Sequence, residues 1–330
     1  MSTKLDNSYQ EVDEKAKLLI TRCPNSTCDF TDGLPIMVID EEIYRNPPSL
    51  IVATVDKLAR MPWVPDIKNI FGLGKEKELE PDLIIQDELH LISESLGTMV
   101  ALYETAIDYL CSKGEWQPKI IGSTATIKNA KKHTKDLFNR EAKQFPASGI
   151  DAKDSFFYSE DLKQPGRLYL GLAAQGRSTS TTLARVTAVL AKLANEIDEP
   201  EIKDQYFTQV LYFNTLRELG TAWVLIYDQV TRYHEMLYER GEKPRRLKNV
   251  EELNSRVPSH RIGDIIEMLK AGVTDKNKSL NYPPLDFLLT SNMISVGVDI
   301  DRLGLMVMYG QPKSAAEYIQ ASSRVGRSKG

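Results

Sequence analysis

The sequence is short of cysteine, of long apolar runs and of net charge. Its 330 residues contain 3 cysteines, too few for a disulfide framework. No apolar run approaches the roughly 18 residues that cross a bilayer, and the polar N-terminus lacks the apolar core of a signal peptide. We therefore expect a cytoplasmic protein with no membrane partner. A net charge of −4 provides no global positive field, so any contact with nucleic acid must be a local patch or groove.

Strand and helix patterns alternate along both halves of the chain, which predicts an α/β fold with parallel sheets. In the first half the predicted strands are 50–53, 83–86 and 119–122, and the predicted helices are 96–110 and 130–138. In the second half the predicted strands are 167–172, 209–214, 285–290 and 305–309, and the predicted helices are 182–197, 216–240, 262–269 and 315–324. The charged stretch 242–257 is expected to be exposed. A loop-like stretch at 146–166 suggests two domains, 1–150 and 151–330.

The most informative segment is 83–90, Leu-Ile-Ile-Gln-Asp-Glu-Leu-His. An apolar run stops abruptly at Asp87 and Glu88, and His90 follows two positions later. This order predicts a buried parallel strand whose carboxyl end opens onto a ligand crevice. In nucleoside-triphosphate enzymes an Asp at such a strand end holds Mg²⁺, and a neighbouring Glu can polarise the attacking water. The alternative is a surface loop that happens to contain two acids.

Polar clusters follow other predicted strands. The hydroxyls of Ser123, Thr124 and Thr126 come after strand 119–122; the alternative for Ser123 and Thr126 is simple helix capping. In the second half, segment 290–300 leads into a turn with Gly297 and Asp299.

Two arginines stand near the end of the chain. Arg324 and Arg327 are three positions apart on either side of Gly326, and on a helix they share a face. Their forked guanidinium groups match phosphate geometry, and a second domain can supply one as an arginine finger. The alternative for Arg327 is a solvated terminal side chain.

Cys23 and Cys28 flank a turn and could grip one side of a tetrahedral Zn²⁺. A structural zinc site needs four ligands, and the chain offers no second nearby pair, since Cys111 lies in a distant helical pattern. The alternatives are two reduced thiols in a loop, or one half of a knuckle.

Taken in order, these segments resemble superfamily 2 helicases. Segment 87–90 is similar to the DExH box, 123–126 to the coupling motif, 210–215 to the start of motif IV, 290–299 to motif V, 320–327 to motif VI and 50–57 to a nucleic-acid-contacting motif. More narrowly, segments 40–44, 47–48 and 54–57 resemble the large helicases of DISARM anti-phage systems.

The resemblance implies two tandem RecA-like domains that hydrolyse ATP with Mg²⁺ and move along nucleic acid, DNA rather than RNA. It implies Asp87 as the Mg²⁺ ligand, Glu88 on the water, and His90 as a link from the nucleotide site to Ser123 and Thr126. Thr124 belongs to the same coupling segment. It assigns Arg324 and Arg327 to the γ-phosphate, with Gln320 in support and with Gly297 and Asp299 sensing nucleotide. It makes Thr54, Lys57 and Thr290 candidates for the strand's phosphates, with a turn cap as the alternative for Thr290. Other defence-system subunits are implied partners.

One departure from the family pattern is serious. The sequence lacks the G-x-x-x-x-G-K-[ST] loop, which cradles phosphates and should precede the acidic strand. We therefore expect a fragment, with both domains incomplete at the chain ends, that hydrolyses ATP only as part of an intact protein. A structural Zn²⁺ is likewise expected only there. The alternative is a nucleic-acid-binding scaffold subunit without ATPase activity.

Overall fold

The computed structural model describes residues 10–13, 18–74, 79–92, 94–112, 116–124, 130–147, 149–151, 156–157, 159, 161, 163, 166–239, 242–273, 283–295 and 299–327. The chain divides into two compact units, Met1–Ala147 and Ser148–Gly330. None of the helices among the described residues has the length and apolarity needed to cross a bilayer.

The first unit contains two small sheets and four α-helices in its described part. Strands β1 (Gln10–Asp13) and β2 (Leu18–Thr21) pair antiparallel, whereas β3 (Leu83–Gln86) and β4 (Lys119–Gly122) pair parallel. The α-helices are α1 (Asp40–Arg45), α2 (Val55–Leu58), α3 (Glu94–Cys111) and α4 (Ala130–Phe138). Two 3-10 helices span Pro65–Phe71 and Leu89–Leu91.

The buried side of α3 joins two apolar clusters. Val100 packs with Leu89 and Leu137, and Ile107 and Cys111 pack with the 3-10 helix Pro65–Phe71. These contacts place the N-terminal half of α3 directly behind the segment that carries the acidic residues.

Two strand predictions in the first unit need correction. Residues 50–53 form no strand, and Leu50 and Val52 are exposed, because four apolar residues have no partner strand among the described residues. Strand β3 is present, but Leu83 and Ile85 are 45% and 64% exposed. Only the face that carries Ile84 packs against the core, so β3 is covered on one side rather than buried.

The second unit is built on a four-stranded parallel sheet in the order β6-β7-β5-β8. The strands are β5 (Gln209–Phe213), β6 (Val250–Leu253), β7 (Phe287–Thr290) and β8 (Leu305–Tyr309). Successive side chains point to opposite faces of a strand, so Leu211 and Phe213 enter one core cluster and Val210 and Tyr212 enter the other. The sheet is thus covered on both faces, as parallel sheets are.

Helices supply both covering layers. They are α5 (Thr179–Glu196), α6 (Pro200–Phe207), α7 (Leu216–Leu225), α8 (Thr231–Met236), α9 (Ser259–Lys270) and α10 (Ala315–Ser322). A π-helix, Ile226–Val230, joins α7 to α8. Side chains start several of them: Ser178 caps α5, and Thr215 forms a capping box with Glu218 at α7.

Three predictions for the second unit were wrong in detail. Residues 167–172 form no strand; this exposed segment contacts the end of α10 and the turn that follows it. Strand β6 was missed, because only its two ends, Val250 and Leu253, are apolar and buried. Helix α10 ends at Ser322, so Arg324 and Arg327 do not share a helical face.

Candidate functional site

Strands β3 and β4 bring two predicted site segments to one edge of a sheet. Their parallel register pairs Gln86 with Gly122, so the segments that follow begin side by side. The Ser123 amide donates to the Gln86 carbonyl at 2.8 Å, and the Leu89 amide donates to the Ser123 carbonyl at 2.9 Å. The backbone therefore fixes residues 87–90 against Ser123 and Thr124.

Glu88 occupies an unusual backbone conformation. Its φ of 51° and ψ of 41° lie in the left-handed region, which a residue other than glycine adopts at a cost of about 1–3 kcal/mol. The Glu88 amide donates to Asp87 Oδ1 at 2.9 Å, which stabilises this turn. Conformations of this kind cluster at functional sites. Here the turn leaves the Asp87 carboxylate exposed and directs Glu88 towards His90.

His90 is the contact point between the two segments. Its side chain is only 9% exposed, and its Nδ1 lies 3.4 Å from Glu88 Oε2. The same nitrogen lies 3.4 Å from Thr124 Oγ1. In one tautomer Nδ1 donates a proton to an oxygen, and in the other it accepts one from the hydroxyl. A change in the position or charge of the Glu88 carboxylate therefore alters the hydrogen bonding of Thr124 through His90 Nδ1.

The donor set at Asp87 fits a magnesium ion. Mg²⁺ in nucleotide enzymes is held by one or two protein carboxylates together with substrate phosphates and water, and Asp87 is an exposed carboxylate at a parallel strand end. Among the described residues no group of three or more His, Cys, Asp or Glu side chains could hold a metal by itself.

In the second unit, Arg324 and Arg327 lie in the turn that follows α10. Gly326, with a φ of 62°, makes the turn, and its amide donates to the carbonyl of the buried Leu303 at 2.7 Å. Arg327 forms an ion pair with Asp299, so the structure brings together two predicted residues. Its Nε also donates to the Ser323 carbonyl at 3.0 Å.

Helix α10 is anchored to the centre of the sheet. Tyr212, fully buried in β5, donates its hydroxyl to Glu317 Oε1 at 2.6 Å. Burial raises the pKa of Tyr212, and the Glu317 carboxylate raises it further, so the phenol stays a donor. Gln320 lies in the last turn of this helix, and its carbonyl accepts from Ser323 Oγ at 2.8 Å.

The candidates for nucleic-acid contact have local explanations. Thr290 is fully buried and donates its hydroxyl to the Leu253 carbonyl at 2.9 Å, which favours a structural role over contact with a strand. Lys57 Nζ lies 2.7 Å from Asp40 Oδ2, and that hydrogen bond raises the pKa of Lys57. Thr54 is exposed at the start of α2 but makes no side-chain cap. Thr126 and Gly297 lie outside the described residues.

The cysteines are free thiols. Cys23 and Cys28 stand in a turn closed by hydrogen bonds from the Cys23 amide to the Phe30 carbonyl and from the Cys28 amide to the Asn25 carbonyl. Cys111 is fully buried in α3, and burial, with help from nearby acids, raises its pKa to about 12.

Sequence reasoning missed two residues of this region, Tyr212 and Arg167. Tyr212 is one of several apolar positions in a strand pattern, and nothing local indicates that its hydroxyl reaches α10. Arg167 was assigned only to a predicted strand, yet its side chain contacts the turn after α10.

Comparison with known proteins defines the class. Residues 221–329 match the helicase conserved C-terminal domain, a range that includes β6–β8, α10 and the arginine turn. The structure of the helicase MrfA bound to DNA and AMPPNP is similar to this chain, with 17% identity and a TM-score of 0.52. The match covers 87% of this chain and 34% of MrfA. This chain is 88% covered by the Mycobacterium smegmatis helicase Lhr bound to ssDNA and AMP-PNP, with 16% identity, a TM-score of 0.54 and 32% of that chain covered.

At these identities the structural likeness establishes the fold, and it confirms the predicted α/β class with RecA-like parallel sheets. The chain carries a match to the helicase conserved C-terminal domain over residues 221–329. More particularly, it is a homologue of the DISARM protein DrmA of Bacillus paralicheniformis (strain ATCC 9945a / NCIMB 11709 / CD-2), with 41% identity over 350 residues. That match covers 93% of this chain and 31% of the relative, so the chain spans about a third of the length of the proteins it matches.

Proposed function

We propose that this chain carries both halves of an ATP-dependent nucleic-acid motor, with one RecA-like domain in each unit. The observation that carries the proposal is the contact of Glu88 and Thr124 with one nitrogen of His90, at the carboxyl ends of two adjacent parallel strands. Ligands of parallel α/β sheets bind outside that edge. A largely buried histidine that contacts both an acid and a hydroxyl can pass the binding of nucleotide at the 87–88 segment on to the 123–124 segment.

Each residue then has a chemical role. Asp87 would hold the Mg²⁺ that neutralises the phosphates of ATP, whose γ-phosphoryl group passes to water with ADP as the leaving group. Glu88 orients the attacking water and accepts its proton, and His90 relays the state of that carboxylate to the 123–124 segment.

The second unit contributes positive charge. Arg324 and Arg327 stabilise the charge that develops on the γ-phosphate, Gln320 supports them, and the Asp299 partner of Arg327 senses whether that arginine is engaged. The ion pair is exposed, so it can exchange at little cost for a phosphate contact.

DNA is the proposed track, in a cytoplasmic anti-phage system with other subunits. Both solved relatives described above are bound to DNA, and the curated relative is a DISARM protein. Thr54 and Lys57 remain candidates for the strand's phosphates, contacts that would carry little sequence information.

A scaffold without ATPase activity is the second candidate, because these 330 residues lack the phosphate-binding loop. A direct test is ATP binding and turnover by the full-length protein that carries this chain. Stoichiometric ATP binding with DNA-stimulated turnover supports the motor, whereas DNA binding without ATP binding supports the scaffold.

The experiment that tests the site is Glu88→Gln in the full-length protein. The substitution keeps the shape of the side chain and removes its basicity, so turnover should fall by about 100-fold or more while ATP and DNA binding persist. Glu141→Gln, at an exposed position outside the helices, is the matched control. Unchanged turnover in Glu88→Gln would remove Glu88 from the proposed role.

A further inference from the structure

The side chain of Arg167, remote in sequence, donates two hydrogen bonds to the turn that carries Arg324. Arg167 Nε donates to the Val325 carbonyl at 2.6 Å, and Arg167 Nη2 donates to the Ser323 carbonyl at 3.3 Å. These two carbonyls belong to the residues immediately before and after Arg324. One guanidinium therefore bridges the residues on both sides of Arg324.

The contact has a clear physical basis. The Ser323 and Val325 carbonyls lie in the turn that follows α10, close to the negative end of the helix dipole. The planar guanidinium of arginine presents several donors in a fixed arrangement, so it can satisfy both carbonyls at once and complement the dipole. A lysine ammonium lacks that fork.

The turn is held from its other side as well. The Gly326 amide donates to Leu303 in the core, and a Cβ at Gly326 would lie 3.5 Å from Arg167 Cγ. The turn therefore lies between the core and the Arg167 side chain. The Ser323 carbonyl that Arg167 contacts also accepts from Arg327 Nε, which links the fork to the second arginine.

The segment around Arg167 follows α10 further. Tyr169 OH lies 3.3 Å from Ser322 Oγ, and the rings of Tyr169 and Tyr318 have centroids 6.1 Å apart. With Glu317 held by Tyr212 from the sheet, α10 is fixed near both of its ends. Without Arg167, the end that carries the arginines loses its outer support.

We propose that Arg167 is a positioning residue that fixes the backbone at Arg324, and thereby the directions in which Arg324 and Arg327 point. The inference rests on the proposed role of these arginines at the γ-phosphate. Positioning matters because a shift of about 1 Å in a catalytic group can lower the rate by about 100-fold.

The test compares Arg167→Ala and Arg167→Lys in the full-length protein, with Arg232→Ala, an exposed arginine on α8, as the matched control. We expect Arg167→Ala to lower kcat for ATP hydrolysis by roughly 10- to 100-fold with little change in KM. The groups that bind ATP are retained, whereas Arg324 and Arg327 are displaced from the γ-phosphate. Arg167→Lys should recover part of the loss, since an ammonium can hold one of the two carbonyls. Arg232→Ala should match wild type.

Amide hydrogen exchange gives a readout that does not depend on activity. In Arg167→Ala, a peptide covering 321–327 should exchange faster, while β5, at the centre of the sheet, should keep its protection. Unchanged exchange in that peptide would overturn the inference. So would faster exchange with unchanged kcat, if Arg324→Ala lowers kcat in the same assay.

Failure of the proposed function gives a different pattern. If Arg324→Ala and Arg327→Ala both leave turnover unchanged, the γ-phosphate role is wrong and no positioning of a catalytic group remains. The exchange measurement then still decides whether Arg167 fixes the turn.

Discussion

Glu104 provides a quantitative test of how the first unit is packed. It lies on α3 in the buried stripe formed by Val100, Ile107 and Cys111, and it is only 6% exposed. Burial, with a smaller contribution from Asp108, raises the pKa of Glu104 from 4.5 to about 7. A carboxyl group thus lies between two apolar clusters, where its ionised form is disfavoured.

The sign of the pH dependence follows from this shift. Below pH 4.5 Glu104 is protonated in both folded and unfolded chains and adds no penalty. Between pH 4.5 and about 7 the unfolded chain releases its proton while the folded chain keeps it, so the free energy of unfolding falls as pH rises. Above about pH 7 both are ionised, and the penalty levels off at about 3 kcal/mol, taking ~1.4 kcal/mol for each pKa unit.

Glu104→Gln mimics the neutral form and should remove this penalty. The variant should match wild type at about pH 4.5 and exceed its stability by about 2–3 kcal/mol at about pH 8. Unfolding can be followed at both pH values by the loss of helical circular dichroism in urea. Glu141→Gln measures the effect of losing one surface charge. A Glu104→Gln variant that is less stable than wild type at both pH values would refute the reasoning.

Three further predictions concern the second unit and the thiols. Arg327→Ala should lower ATP turnover, measured by a coupled ATPase assay, far more than DNA affinity, measured by fluorescence anisotropy. The opposite pattern would mean that Arg327 contacts the phosphate backbone of DNA. Tyr212→Phe should destabilise the second unit by roughly 1–3 kcal/mol in urea unfolding, because the half-buried carboxylate of Glu317 loses its donor. An unchanged midpoint would contradict this. Metal analysis of the 330-residue chain should find no stoichiometric zinc, and one tightly held ion per chain would assign Cys23 and Cys28 to a site.

Several features were predictable because they are local. An apolar run that stops at Asp87 predicts a strand with a polar carboxyl end, and β3 is present there. The run 119–122 predicts a strand in the same way, and β4 is present there. The contacts of His90 with Glu88 and Thr124 depend on how the two strands pair. The pattern of the second half predicted β5, β7 and β8 for the same reason.

The predictions were wrong where contacts between residues distant in sequence determine whether a strand forms or a side chain is buried. Residues 50–53 have the composition of a strand but no partner among the described residues, and β6 has little of that composition yet pairs with β7. Thr290 was a candidate for surface contact from its place in a motif, but pairing of its strand buries it.

By itself, the sequence determined the class of fold, the order of the polar segments and the chemistry those segments could perform. These depend on periodicity and on residue type, which can be read from neighbouring residues in the sequence. Only the tertiary structure decided that α10 ends before Arg324, that Tyr212 reaches Glu317, and that Arg167 holds carbonyls 156 and 158 residues away. Such contacts have no periodicity along the chain, because they arise only once the sheet has brought remote segments together.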